Sequence, residues 1–206
     1  MGDPKVSPFL TWRGLFIFIP IRYSAGMNEL QLTSDLTGKR GLTLILTRDR
    51  ARKSKTELIA SLILRGPLFV VSGDEWLPAY DLPRMIRGQT TEIKEILGRL
   101  YTARVSTCYR LFDSLASISL KGEPVLVLDF LHTFYDSDVP LRTRLFKLRE
   151  CCRELKRLAF YRPVIVLTQE LEAEEYEKFI PALHSITDKT LTLDPELERI
   201  GQPALF

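Results

Sequence analysis

The sequence predicts an α/β sandwich, with a mostly parallel central sheet and helices on both faces. Two observations carry the prediction. Short continuous apolar runs recur along the chain, among them GLTLIL (41–46), GPLFVVSG (66–73), GEPVLVLDF (122–130) and PVIVLTQ (163–169). Strands covered on both faces read this way. Between them lie helix-period segments, the strongest being LRTRLFKLRECCRELKRLAFY (141–161). Strands alternating with helices build a parallel sheet.

Residues 1–12 hold two prolines and no clear period, and read as a tail or arm. GLFIFIPIRY (14–23) is strand-like. Its Pro20 suits an edge or interface strand, and its apolar run is too short to span a membrane. We therefore assign 1–23 to an N-terminal arm and 24–206 to one core domain. SAGMNE (24–29) reads as a loop. Strand 41–46 leads through a basic loop to a helix over 55–65, and strand 66–73 follows. TTEIKEILGRL (90–100) predicts a helix, YTARV (101–105) a short strand, and STCYRLFDSLASISL (106–120) a helix.

Strand 122–130 then gives way to a loop over 131–140. In the helix 141–161, Leu141, Leu145, Leu148, Cys152, Leu155 and Ala159 form one apolar stripe, at the spacing of a helix packed on a core. Cys151 and Cys152 are adjacent, so at most one is expected to face that core. Strand 163–169 follows. EAEEYEKFIPALH (172–184) predicts an acidic helix, and TDKTLTLDPE (187–196) alternates like a half-exposed last strand.

The bulk numbers fit this plan. A chain of 206 residues, 45% hydrophobic and 27% charged, fits one globular domain with a real core. A net charge of +3 is too small to argue for nucleic acid by itself. Cys108, Cys151 and Cys152 make an odd count without metal-ligand spacing, against a disulfide framework or a zinc site. A reducing compartment is expected: the cytoplasm, or the nucleus in a eukaryote. No signal peptide and no membrane role are read. His132 and His184 lack triad partners and read as surface or boundary residues.

Chemistry concentrates at the loop after the first core strand. Residues 49–56 read DRARKSKT, against the phosphate-loop pattern G-x-x-x-x-G-K-[S/T]. Lys55 and Thr56 fill the last two positions, while Asp49 and Ser54 stand where the glycines belong. Asp49 brings a carboxylate beside any phosphate. Ser54 adds a Cβ where the backbone needs glycine's freedom. Arg50, Arg52 and Lys53 add compensating positive charge. The plain alternative is a basic loop with no nucleotide.

Other strand ends carry polar groups. VLVLDF (125–130) is an apolar run ending in Asp129, where phosphate-loop enzymes keep a magnesium-side carboxylate. FVVSGDE (69–75) offers Glu75 to polarise a water, with a Gly73-Asp74 turn as the alternative. PVIVLTQ ends in Thr168-Gln169. On the long helix, Arg142, Arg149, Arg153 and Lys156 cluster on one side, and Arg157 and Arg162 extend the patch. Glu150 and Glu154 interleave, so the face is either solvated or a surface for an acidic partner or nucleic acid.

Taken in order, these segments resemble the RecA-like recombinase superfamily over about residues 40–194. The resemblance rests on the S-K-T segment, FVVSGDE, YTARVSTCYRLFDSLA, the VLVLDF strand with its loop and long helix, PVIVLTQ and SITDKTLTL. It implies a phosphate-loop NTPase core with ATP and magnesium as cofactors. Lys55 and Thr56 fall on the Walker A pair, and Asp129 on Walker B. Thr56 and Asp129 would then hold the metal, Glu75 would be the catalytic glutamate, and Gln169 the γ-phosphate sensor.

The departures predict weak or no nucleotide binding. Both glycines are missing. Where the family has a glycine-containing DNA-binding loop, this chain has Glu170, Glu172, Glu174, Glu175 and Glu177, offset only by Lys178. The expectation is a degenerate RecA-like paralogue acting as a non-catalytic or weakly nucleotide-binding assembly subunit in DNA recombination or repair. It would self-associate or join a recombinase-like partner through the arm, with Trp12, Phe16 and Phe18 at the interface. The rivals are an active ATPase with an atypical loop and a sequence-independent DNA-binding module. Any DNA contact is expected to be weak and salt-sensitive, through Arg50, Arg52, Lys53, Arg149 and Arg153.

Overall fold

Among the described residues, six parallel strands are joined by helical connections, each of which returns the chain to the sheet. The computed structural model describes residues 36–47, 52–73, 78–120, 122–170 and 174–193. The arm with Trp12, Phe16 and Phe18, and the loop residues Asp49, Arg50 and Glu75, lie outside the described residues.

In order, the elements are β1 (Gly41–Thr47), α1 (Arg52–Arg65), β2 (Leu68–Ser72), α2 (Asp81–Arg87), α3 (Ile93–Gly98) and β3 (Leu100–Arg104). Then come α4 (Cys108–Ser117), β4 (Val125–Leu128), a 3-10 turn (Phe130–Phe134), α5 (Leu141–Tyr161), β5 (Pro163–Gln169), α6 (Glu174–His184) and β6 (Lys189–Leu193). The sheet order is β3-β2-β4-β5-β1-β6, with every pairing parallel.

The apolar runs are continuous because each strand feeds two cores. Leu42, Leu44 and Leu46 of β1, Val125 and Val127 of β4, and Val164 and Val166 of β5 pack on the face covered by α4, α5 and α6. Ile45, Leu126, Leu128, Ile165 and Leu167 pack on the opposite face, under α1, α2 and α3. Alternate side chains of a strand point to opposite faces, so only an all-apolar run satisfies both layers.

Three expectations change. The stretch 131–140 does not open as a plain loop: the 3-10 turn inserts Phe130, Leu131 and Phe134 into the core. α2 lies in a stretch, 74–89, to which the sequence reading gave no element, and it contains Pro83. The proline sits in the first turn, where no intrahelical N–H is lost, and Leu82 and Ile86 anchor the helix one turn apart. Cys151 and Cys152 are both buried, against the expectation of one. α5 is flanked by α4 and α6 as well as lying on the sheet, so its buried arc is wider than a single stripe. Cys152 Sγ accordingly lies 3.8 Å from the Ala182 carbonyl of α6.

The three thiols are free and buried. No helix among the described residues is long and apolar enough to cross a membrane. The two histidines stay out of the core, His132 exposed and His184 half-buried.

Candidate functional site

The connections that leave the sheet diverge where open parallel sheets bind ligands. β1 leads to α1 on one face, while its neighbour β5 leads to α6 on the other. β2 and β4 diverge in the same way. The crevice at the carboxyl ends of such strands is the usual ligand position in this class of sheet.

Lys55 and Asp129 meet there. Lys55 lies in the first turn of α1, and Asp129 directly follows β4. With β5 between β1 and β4, the two strand ends stand about 10 Å apart, two strand spacings. Lys55 Nζ donates to Asp129 Oδ1 at 2.5 Å. Both residues are buried, at 3% and 8% exposure. Asp129 Oδ2 is also buried and has no hydrogen-bond partner among the described residues.

The first turn of α1 also holds Arg52 and Lys53 and contains no acid. Cations there oppose the positive end of the helix dipole, and the carboxylate of Asp129 offsets the charge of Lys55. Arg52 and Lys53 are exposed, and Lys53 lies 3.7 Å from Glu57. The buried Thr56 hydroxyl donates to the Arg52 carbonyl at 2.8 Å. Its proton is therefore spent inside the helix and does not reach Asp129 Oδ2.

The backbone around Asp129 is shaped for a close approach. Asp129 has φ 52 and ψ 40, a left-handed conformation found at no other non-glycine among the described residues. Aspartate tolerates it better than most side chains. Gly73, just beyond β2, donates its N–H to the Leu128 carbonyl at 2.8 Å. A Cβ on Gly73 would stand 2.5 Å from the Asp129 carbonyl oxygen. This glycine is thus required by the neighbouring strand end, a role the sequence left to turn chemistry.

Gln169 closes β5, paired in register with Thr47 at the end of β1. It is half-buried and stands at the same edge of the sheet as Asp129. Beside it, the buried Thr168 hydroxyl accepts from the Leu131 N–H at 3.4 Å, a long contact tying β5 to the turn after Asp129. The fold thus brings Lys55, Thr56, Asp129 and Gln169 to one edge. Glu75 and Arg50 lie outside the described residues.

Two groups escaped the sequence reading. Arg144 is buried and donates to the Phe134 carbonyl at 2.9 Å, holding the 3-10 turn against α5. Arg162 does not extend the basic patch: it is buried, and its guanidinium donates to the Glu123 carbonyl at 2.8 Å and to the Ser119 carbonyl. Arg157 is drawn aside as well, to Glu154 at 2.6 Å. Arg142, Arg149, Arg153 and Lys156 remain exposed together on α5.

No cluster of three or more metal-type side chains occurs among the described residues. Neither a protein-family model nor a curated protein matches the chain.

Proposed function

We propose that this protein is a degenerate RecA-like paralogue, a non-catalytic or barely nucleotide-binding subunit that assembles with itself or with a recombinase-like partner in DNA recombination or repair. One observation carries the reading: the buried contact of Lys55 with Asp129. In a working phosphate loop, the lysine neutralises phosphate and the carboxylate serves magnesium. Here each neutralises the other. The Thr56 hydroxyl, spent on the Arg52 carbonyl, and the missing loop glycines agree with that. ATP and magnesium remain the ligands the residues would take. Asp129 Oδ2 and the Thr56 oxygen are too few donors for magnesium alone, and phosphate and water would have to supply the rest.

A second reading, an active ATPase, draws on Asp129 Oδ2. This buried acceptor lacks a partner among the described residues, and a hydrated cation would satisfy it. Calorimetric titration with Mg-ATP and a phosphate-release assay separate the two. The scaffold predicts a dissociation constant no tighter than about 1 mM, on the order of 4 kcal/mol of binding, and no turnover. Micromolar affinity that vanishes in Lys55→Ala would establish the ATPase instead. Light scattering of wild type and Phe16→Asp/Phe18→Asp tests assembly. A monomeric wild type whose mass the variant leaves unchanged removes self-association through the arm.

A further inference from the structure

We propose that the outward face of α5 is a docking surface for an acidic amphipathic helix of a protein partner. The surface rests on its own observations and does not depend on the nucleotide question.

Arg142, Phe146, Arg149, Arg153, Lys156 and Phe160 follow one another along α5 at alternating steps of four and three residues, and all six are exposed. Phe146 and Phe160 are 56% and 73% exposed, large values for phenylalanine. The core side of the same helix is occupied by Leu148, Cys151, Leu155 and Leu158, so burial elsewhere does not explain the two rings.

The acids of α5 do not neutralise this stripe. Glu150 accepts from Lys147 at 2.7 Å. Lys147 sits beside the stripe, 5.4 Å from the centre of the Tyr109 ring, 4.8 Å from that of Phe112 and 5.9 Å from that of Phe146. Glu154 accepts from Arg157 at 2.6 Å. Arg153 shares Glu150 only at 3.5 Å and keeps 72% of its side chain exposed. Arg142, Arg149 and Lys156 have no ion pair within the described residues. Four cations thus stand in a line with at most one loose partner.

The spacing selects the occupant. Steps of four and three average 3.5 residues, the seam by which one helix packs along another. The stripe is about 27 Å long and its two rings about 21 Å apart, at 1.5 Å of rise per residue. A partner helix of about five turns, apolar near both ends and rich in Glu or Asp between, would meet every group. Aromatic rings and arginines are the residues that most often anchor protein interfaces.

A phosphate backbone would use the cations and leave both rings in water. A second copy fits poorly. Among the described side chains of α6, the acidic helix of this chain, the exposed ones are Glu174, Glu177, Lys178 and Pro181, and none of these is a large apolar group to meet Phe146 and Phe160.

Fluorescence anisotropy with the full chain tests the proposal. One labelled probe is a helical peptide of about 20 residues, long enough for the stripe, with leucines at both ends of a heptad seam and glutamates between. The others are a scrambled peptide of the same composition, a single-stranded oligothymidine and a DNA duplex. The patterned peptide should bind at least about tenfold more tightly than the scrambled one, and Phe146→Ala/Phe160→Ala should weaken it about tenfold or more. Arg149→Glu/Arg153→Glu should also weaken it, with an effect that shrinks as salt rises.

Because the substituted side chains are exposed, each variant should keep the wild-type circular dichroism and urea midpoint. Absent or equal binding of the two peptides overturns the proposal. So does indifference to both variants. Tighter binding of either DNA, unaffected by Phe146→Ala/Phe160→Ala, assigns the face to nucleic acid instead. The Mg-ATP titration is a separate readout, so failure here leaves the reading of the phosphate loop standing.

Discussion

Removing either member of the Lys55–Asp129 pair should destabilise the protein strongly, and removing both should cost well under the sum of the two single losses. Lys55→Met leaves the Asp129 carboxylate at 8% exposure without its counter-charge, and its second oxygen already lacks a partner among the described residues. Breaking a buried ion pair from one side costs about 3–5 kcal/mol, because the surviving charge stays desolvated. For a chain of this size that is a fall in Tm of roughly 6–20 °C. Asp129→Asn removes the carboxylate that the buried Lys55 ammonium contacts. Asparagine is chosen because it tolerates the left-handed backbone at this position, so no new strain confuses the result. In Lys55→Met/Asp129→Asn neither charge is stranded, and the combined cost should fall short of the sum by about 2–3 kcal/mol. Urea unfolding of the four proteins, followed by far-ultraviolet circular dichroism, measures the cycle. If each single change costs less than about 1 kcal/mol and the two effects add, the contact is as weak as an exposed salt bridge. The lysine would then be available to a phosphate, and the argument for a self-satisfied site would fall.

Two further outcomes follow from the packing around the site. Gly73→Ala places a methyl group against the Asp129 carbonyl at 2.5 Å, so β2 and β4 must separate, with an expected loss of about 1–3 kcal/mol in urea unfolding. Gly66→Ala, where an added Cβ meets nothing within 4 Å, should stay within about 1 kcal/mol of wild type, and equal losses at both positions would refute the steric account. Burial pushes the Cys152 thiol up from 9.0 to about 12, and raises Cys151 further. The folded state thus keeps these protons after the unfolded chain has released them. Stability should be complete below pH 9 and decline between there and about pH 12, by about 1.4 kcal/mol per pH unit for each thiol. In the native protein at pH 8, iodoacetamide should label neither residue, and mass spectrometry showing rapid native labelling would contradict their burial.

The parallel sheet was legible because two-sided burial leaves a plain mark. β5 and α5 fall at their expected bounds, one a continuous apolar run and the other a long periodic stripe. Elements fixed by distant contacts were not legible. The 3-10 turn has no period of its own, and its shape comes from Arg144 and the core beneath it. Arg162 is chemically the same as the exposed arginines of α5. Its burial is decided by the carbonyls of Ser119 and Glu123, about forty positions away. Lys55 and Asp129 were each singled out by type and place. Their pairing was not, since 74 positions separate them and each was expected to face a ligand.

On the proposed reading, that pairing also gives a physical reason why the phosphate-loop glycines are missing while the lysine and aspartate are present. The glycines of a phosphate loop let the backbone wrap an anion. On the proposed reading no anion needs wrapping, so Asp49 and Ser54 cost little. Lys55 and Asp129 are held by a different constraint. Each is the neutralising partner of a buried charge, and losing either alone would remove about 3–5 kcal/mol from a native state whose whole stability is of order 5–15 kcal/mol. A simultaneous loss avoids part of that penalty, because neither charge is then left facing an absent partner. The two side chains would therefore persist for the stability of the fold even where they no longer serve phosphate or metal. This is why a lysine and an aspartate at these strand ends support a shared architecture more strongly than they support catalysis.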